Sequence, residues 1–384
     1  MIPYGKQAID DEDIQVVVDV LKSDWLTTGP KIQEFENAVS DYIGVKHAVA
    51  VSSGTAALHA AMHALKIGPG DEVVLPSMTF AATANCVVYQ GATPVFVDVS
   101  PDTLLIDPGT IEAKLTSRTR AIIAVDYAGQ PCVYDRLQQI AEKHRINLVA
   151  DACHALGAEY KGKKVGGLAD LTVFSFHPVK HITTGEGGMI TTDDESLAQR
   201  MRVFRNHGIT STHSQREAQG SWFYEIEELG YNYRITDFQC ALGRSQLRKL
   251  PQWLEKRRNI AAQYDTGLAE IGGIKPLTRE KNVLHAYHLY VVKIEKNNKG
   301  FSRSEIYKAL RDSGIGVNVH YIPVHLHPFY KRAYRTGPGL CPAAEEAYEK
   351  ILSLPMYPTM SDHDVKRVIE TLANIMTAHT RRFV

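Results

Sequence analysis

The 384-residue sequence has no CxxC pair and only five cysteines, Cys86, Cys132, Cys153, Cys240 and Cys341. An odd, scattered set supports neither a disulfide framework nor a zinc knuckle. Each cysteine reads as a small buried hydrophobe. Charge is balanced, with 43 Lys+Arg against 43 Asp+Glu. The lack of a basic excess argues against a nucleic-acid partner, and the lack of charge blocks argues against an interaction tail. No apolar run approaches the ~20 residues that span a bilayer. The start, MIPYGKQAIDDEDIQ, lacks the charged-then-apolar plan of a signal peptide. No repeat period or low-complexity tract is visible. A cytoplasmic protein with no membrane partner is therefore expected. No GxGxxG follows a strand and no Walker pattern occurs, which disfavours a simple nicotinamide enzyme.

Hydrophobic residues make up 44% of the chain, ample for a large core, and the length suggests two or three domains at ~150 residues each. Strand-like runs HAVAVS (47–52), DEVVLP (71–76), TPVFVDV (93–99), AIIAVDY (121–127) and INLVAD (146–151) alternate with helix-like stretches such as TAALHAAMHALK and YDRLQQIAEKH. This rhythm predicts an α/β fold with a mainly parallel sheet wrapped by helices. The short, β-branched apolar runs suit strands buried on both faces. After residue 190 the pattern changes. DESLAQRMRVFRNHG reads as a helix. ITDFQCALGRSQLRKL and QWLEKRRNIAAQYDTGLAEI read as two more, parted at Pro251. HAYHLYVVKI and GVNVHY read as strands. SRSEIYKALRDSG, AAEEAYEKILSL and SDHDVKRVIETLANIM read as helices, the last with Ser361 as N-cap. The expected division is a large α/β domain over 1–250 and a smaller C-terminal α+β domain over 251–384. The polar stretch 212–222 reads as a loop.

Three stretches carry chemistry. SSGTAAL (52–58) follows a strand and opens a helix. Its small residues let backbone approach a ligand, and a helix N-terminus favours phosphate. An ordinary Ser-capped turn reads the same way. Asp151, in INLVADACHALG, ends a buried strand, where open parallel sheets gather ligands. It could equally cap the following turn. FSFHPVKHITTGEGGM (174–189) places one lysine, Lys180, in a sheltered turn just after Ser175. A buried lysine is costly unless paired or neutral. Lysine, carboxylate and phosphate cradle at one sheet edge are the three things pyridoxal phosphate needs: an amine to join its aldehyde, an acid to keep its pyridine nitrogen protonated, and N–H groups for its phosphate.

SSGTAAL, PSMTFAATAN, DACHALG, FSFHPVK–TTGEGG, GYNYRITDFQCALG and NVHYIPVHLHPFY, in that order, resemble the sugar-nucleotide aminotransferases of the DegT/DnrJ/EryC1/StrS family over nearly the whole chain. VDYAG (125–129), CHALGAEY (153–160) and FSFHPVKHITTGEGG carry a narrower likeness to that family's pseudaminic acid branch. The resemblance implies the aspartate-aminotransferase-like architecture of fold type I. It implies Lys180 as the catalytic lysine and Asp151 on the pyridine nitrogen. Gly54, Thr55 and Ser175 would take the phosphate, Phe80 would stack on the ring, and His154 would bond the ring hydroxyl. His154 stands where many relatives carry Gln; a buried, satisfied histidine is the plain alternative. Asn232 would reach the phosphate of a neighbouring subunit, making a homodimer with shared active sites. Tyr4, Trp25, Thr27, His320 and Tyr321 would line the sugar-nucleotide pocket. No metal is expected: His320, His325 and His327 alternate along a segment broken by Pro323 and Pro328, with no carboxylate cluster beside them.

The implied reaction moves an amino group from L-glutamate, leaving 2-oxoglutarate, to C4 of a UDP-linked 4-keto-6-deoxy sugar. The alternatives are amination of another nucleotide-linked 4-keto sugar of the GDP-perosamine or dTDP-amino-sugar type, a pyridoxal-phosphate sugar dehydratase, and a non-catalytic sugar-nucleotide binder. Some dehydratase relatives carry His where the lysine stands; Lys180 favours transfer, although His181 lies beside it.

Overall fold

Nine strands form in the first half of the chain, seven of them from apolar or β-branched runs. In chain order they are β1 (His47–Val51), β2 (Glu72–Pro76), β3 (Thr93–Val97), β4 (Thr119–Val125), β5 (Asn147–Asp151), the short pair β6 (Glu159–Tyr160) and β7 (Lys163–Lys164), β8 (Leu171–Ser175) and β9 (Gly188–Thr192). This computed structural model describes residues 1–211, 216, 220–295 and 302–378. The expected loop at 212–222 lies largely outside the described residues.

Seven of these strands form one sheet in the order β1-β9-β8-β5-β4-β2-β3. The pairs β2–β3, β2–β4, β4–β5 and β5–β8 are parallel. β9 runs against both neighbours, with Gly188 opposite Ser175 of β8 and Val51 of β1. The carboxyl ends of β1, β4, β5 and β8 therefore share one edge of the sheet. The helix Gly54–Ala64 springs from that edge. The side chain of Ser53 accepts from Ala56 N–H at its first turn, and its residues from Ala56 to Met62 are all buried. Two glycines permit the close packing there: a Cβ on Gly188 would lie 2.4 Å from the Ser53 carbonyl oxygen, and one on Gly54 would lie 2.9 Å from Ser175 Cβ.

The C-terminal part contains β10 (Ile274–Pro276), β11 (Val283–Leu284), β12 (Tyr290–Ile294) and β13 (Ile351–Leu354). β10, β12 and β13 form an antiparallel sheet, while β11 pairs with β6. A second hydrophobic cluster, including Ile260, Tyr264, Val292, Leu310, Leu352 and Val368, lies beneath this sheet and takes in Ile2 from the N-terminus. Asp362–Ala378 is the last helix, and Ser361 Oγ accepts from Asp364 N–H at 3.1 Å.

Three sequence expectations fail here. Pro251 does not divide two helices, because one helix runs from Asp237 to Leu268. Pro251 is exposed while Leu250, Trp253 and Leu254 pack into the larger core. Burial on the opposite face thus outweighs the lost backbone hydrogen bond. GVNVHY makes one isolated bridge, Asn318 to Ser353, next to that of Ile315 with Ile2. The third strand of the small sheet comes instead from the end of the expected helix AAEEAYEKILSL. That helix stops at Lys350, and Ile351–Leu354, buried at every position, pairs with β12.

Candidate active site

A cavity of about 490 Å³ opens at the shared sheet edge. Parallel strands deliver their side chains there because their carboxyl ends coincide, the usual place for a ligand in an open α/β sheet. Of the residues singled out from sequence, Tyr4, Gly54, Thr55, Phe80, Asp151, His154, Ser175, Lys180, His320 and Tyr321 all line it. Trp25, Thr27 and Asn232 do not. Thr27 bridges Thr236 and Asn232 bridges Asn206, both on exposed backbone.

Asp151 ends β5 and is buried. Its Oδ2 accepts from Thr83 Oγ1 at 2.6 Å, and its Oδ1 accepts from Cys153 N–H at 3.2 Å. Thr83 Oγ1 is itself 2.7 Å from Oγ1 of Thr79, in the bend that precedes the helix. These contacts fix the carboxylate's rotamer. Lys180 is half-buried in the turn after β8, where its N–H bonds the His177 carbonyl at 2.9 Å. Burial lowers its pKa, while Cys153 and Asp151 pull the other way. The net shift is downward, toward the neutral amine that attacks a carbonyl. Phe80 precedes the helix Ala81–Tyr89 with 59% of its surface exposed, and its ring centre is 5.9 Å from that of Tyr321. A largely exposed aromatic at the cavity wall offers a flat face to a planar ligand.

The back of the cavity is rich in histidine. His154 Nε2 lies 3.0 Å from Tyr321 Oη, and the His154 and His288 ring centres are 4.4 Å apart. Burial holds His154, His181 and His288 well below the ordinary histidine pKa, with His320 at about 4. All four are therefore neutral near pH 7. His181, next to the lysine in sequence, is not part of the cavity wall. Its Nε2 faces the Ala286 carbonyl at 3.0 Å, in the interior. The three histidines of the NVHYIPVHLHPFY stretch part company. His320 bonds Ser353 Oγ at 2.8 Å, His325 bonds Ser77 and Glu345, and His327 precedes the helix Pro328–Tyr334. Among the described residues no group of three or more His, Cys, Asp or Glu could hold a metal ion.

Sequence reasoning missed Thr83 and His288. Thr83 had a faint signal, a hydroxyl in the first turn of the helix-like run AATANCVVYQ. His288 had none, because it comes from a loop more than a hundred residues distant from the lysine.

A sequence model of the DegT/DnrJ/EryC1/StrS aminotransferase family matches residues 7–373. The chain is 44% identical over 378 residues to the spore coat polysaccharide biosynthesis protein SpsC of Bacillus subtilis, covering 98% of this chain and 97% of SpsC. Its fold superposes on a putative sugar aminotransferase, Spr1654 of Streptococcus pneumoniae in its PMP form, with a TM-score of 0.93, at 36% identity and covering 99% of this chain and 100% of that one. The same protein has been solved in a PLP form. PseC of Helicobacter pylori, an aminotransferase of pseudaminic acid biosynthesis, superposes with a TM-score of 0.91 at 33% identity, covering 98% of this chain and 99% of PseC. The chain belongs to the DegT/DnrJ/EryC1/StrS aminotransferase family.

Proposed function

We propose that the protein is a sugar-nucleotide aminotransferase that uses Lys180, Asp151 and the N-terminus of the helix Gly54–Ala64 around one pyridoxal phosphate. The observation that carries this reading is the convergence of all three on a single cavity. The site also fits the cofactor in detail. Side chains larger than glycine are barred at residue 54 by Ser175, which leaves the helix's first amides open to a phosphate.

Bound pyridoxal phosphate supplies an electron-withdrawing ring that accepts and returns an amino group. Gly54, Thr55 and Ser175 hold its phosphate. Asp151, steadied by Thr83, keeps a positive charge on the ring nitrogen. Phe80 covers one ring face. Lys180 would hold the cofactor, and its amine would move a proton at the substrate carbon. Burial lowers the cost of keeping its amine neutral for that work. L-glutamate donates in one half-reaction, and the C4 ketone of a nucleotide-linked sugar receives in the other. Tyr4, His320 and Tyr321 face the sugar.

The finer reading is a UDP-linked 4-keto-6-deoxy sugar of the pseudaminic acid pathway, supported by the likeness to PseC. The higher identity to SpsC favours a second reading, amination of another nucleotide-linked 4-keto sugar for a surface polysaccharide. The unit is a homodimer. Exposed Trp222, Phe223, Tyr224 and Ile226 lead into exposed Asn232, an apolar approach that a second copy would cover, and Asn232, Trp25 and Thr27 serve the partner's cavity. No described helix is long and apolar enough to cross a membrane; a nucleotide-sugar substrate implies action in the cytoplasm. Assay with glutamate and a panel of UDP-, GDP- and dTDP-linked 4-keto sugars tests both readings. Amino-sugar product from the UDP compound alone supports the first. Product from another nucleotide supports the second. Deoxygenated sugar with release of ammonia overturns both in favour of a dehydratase.

A further inference from the structure

His288 has no part in the chemistry above, yet it stands at the back of the cavity and is buried. Its Nδ1 is without a hydrogen-bond partner among the described residues, and so is Nδ1 of His154, whose ring centre is 4.4 Å away. Two orphaned nitrogens on adjoining neutral imidazoles are complementary, since each neutral ring has one N–H and one lone pair. A turn of the His288 ring, whose Nδ1 no described hydrogen bond restrains, would join them. On the far side of His154, Nε2 meets the Tyr321 hydroxyl at 3.0 Å. Burial keeps that hydroxyl protonated. If Tyr321 donates to Nε2, the proton of His154 must be on Nδ1, and only His288 stands ready to accept it. His181 lies behind His288, with ring centres 5.7 Å apart, and is itself pinned: its Nε2 donates to the Ala286 carbonyl. Lys180, His154, His181 and Arg257 act most strongly on His288. None is an anion that could draw a second proton onto it.

We propose that His288 is a positioning residue for the transamination: by accepting from His154 Nδ1 it fixes the tautomer of His154 and turns the Tyr321 hydroxyl proton inward. Tyr321 then presents only oxygen lone pairs to the cavity. The ligand group that meets it is a donor, such as a sugar hydroxyl. Without His288, His154 can change tautomer and Tyr321 can present its proton instead. Two hydrogen-bond directions would then compete where the structure now selects one.

The inference rests on the pyridoxal phosphate reading, and a double-mutant cycle separates the two. His288→Phe, His288→Gln, His154→Phe and the double variant His154→Phe/His288→Phe are compared with the unaltered holoenzyme. The readouts are cofactor dissociation constant, the pH titration of the bound cofactor's visible band, and kcat and KM of the glutamate half-reaction. His288→Phe should lower kcat about tenfold, the scale of one lost hydrogen bond, and move the band's titration midpoint, with KM changed less than about twofold. His288→Gln, which can still accept, should recover most of both; it also keeps the test alive if the Phe protein does not fold. In the His154→Phe background the loss of His288 should add nothing. A His288→Phe protein with unaltered rate and titration overturns the inference, as does an effect that persists in full without His154. If the unaltered protein forms no visible band with pyridoxal phosphate, the cofactor reading fails and this inference with it.

Discussion

Two buried histidine clusters lie at the same edge of the sheet and behave oppositely. In one, His325 sits between Ser77 Oγ on Nδ1 and Glu345 Oε1 on Nε2, the latter at 2.9 Å. Glu345 also accepts from Gly339 N–H at 2.9 Å and Cys341 N–H at 3.2 Å, and Ser77 takes Val324 N–H on its carbonyl. Serine, histidine and carboxylate in a row resemble a nucleophile constellation, but Ser77 and His325 are sealed at 0% exposure and both ring nitrogens are satisfied. In the other cluster, His154 and His288 each leave a nitrogen open beside a cavity. Buried polar groups are nearly always paired. A closed network is a fastening, and an open one marks where a ligand or a movable proton belongs. The closed network ties the segment after Tyr321 to the end of β2 and so holds the cavity's outer wall in place.

The contrast can be broken by substitution. The largest effect is expected on the open side. Lys180→Ala should lose at least about 10³-fold in amino transfer, in line with removal of an acid–base group, read as glutamate-dependent bleaching of the cofactor band. Asp151→Asn should cost about 100-fold in kcat with the fold intact, checked by rate and circular dichroism together. On the closed side, His325→Ala should lower unfolding free energy by about 3 kcal/mol, since it strands a buried hydroxyl and a carboxylate. Its kcat per folded molecule should stay within about threefold, and denaturant melts beside kinetics check both. A rate loss as large as that of Asp151→Asn would erase the distinction.

The last effect spares the rate at neutral pH and falls on acid stability. His59 and His320 are buried and titrate at about 4 against an ordinary 6.5. The unfolded chain takes up these protons first as pH falls. Their contribution is complete above pH 6.5 and is lost on the way down through pH 4, at about 1.4 kcal/mol per pH unit for each histidine inside that window. Urea melts between pH 4.5 and 7 should show this slope, and His59→Phe should flatten it.

Much of this was legible from residue order. β1 to β5 lie within two residues of their apolar runs, and the helix Tyr134–His144 matches its periodic stretch end to end, because buried strands and amphipathic helices write their periods into sequence. Lys180, Asp151 and Gly54 could be joined because each follows a parallel strand, and parallel strands share an edge. What could not be read was decided by tertiary contact. Pro251 sits inside a helix held by the packing of Leu250, Trp253 and Leu254. Ile351–Leu354 left its helix to fill a place beside β12. His288 reaches the lysine only through the fold, and nothing in HAYHLYVVKI distinguishes its first histidine, which stacks on Tyr287, from its second, which reaches His154.

The account's central claim is that the amine of Lys180 carries the cofactor. Borohydride reduction of the purified holoenzyme, followed by proteolysis and peptide mass analysis, reads this directly. The account predicts one modified peptide, bearing the added mass on Lys180 within FSFHPVKHITTGEGG. Label on a different lysine, or none on a protein that still turns over glutamate, would contradict it.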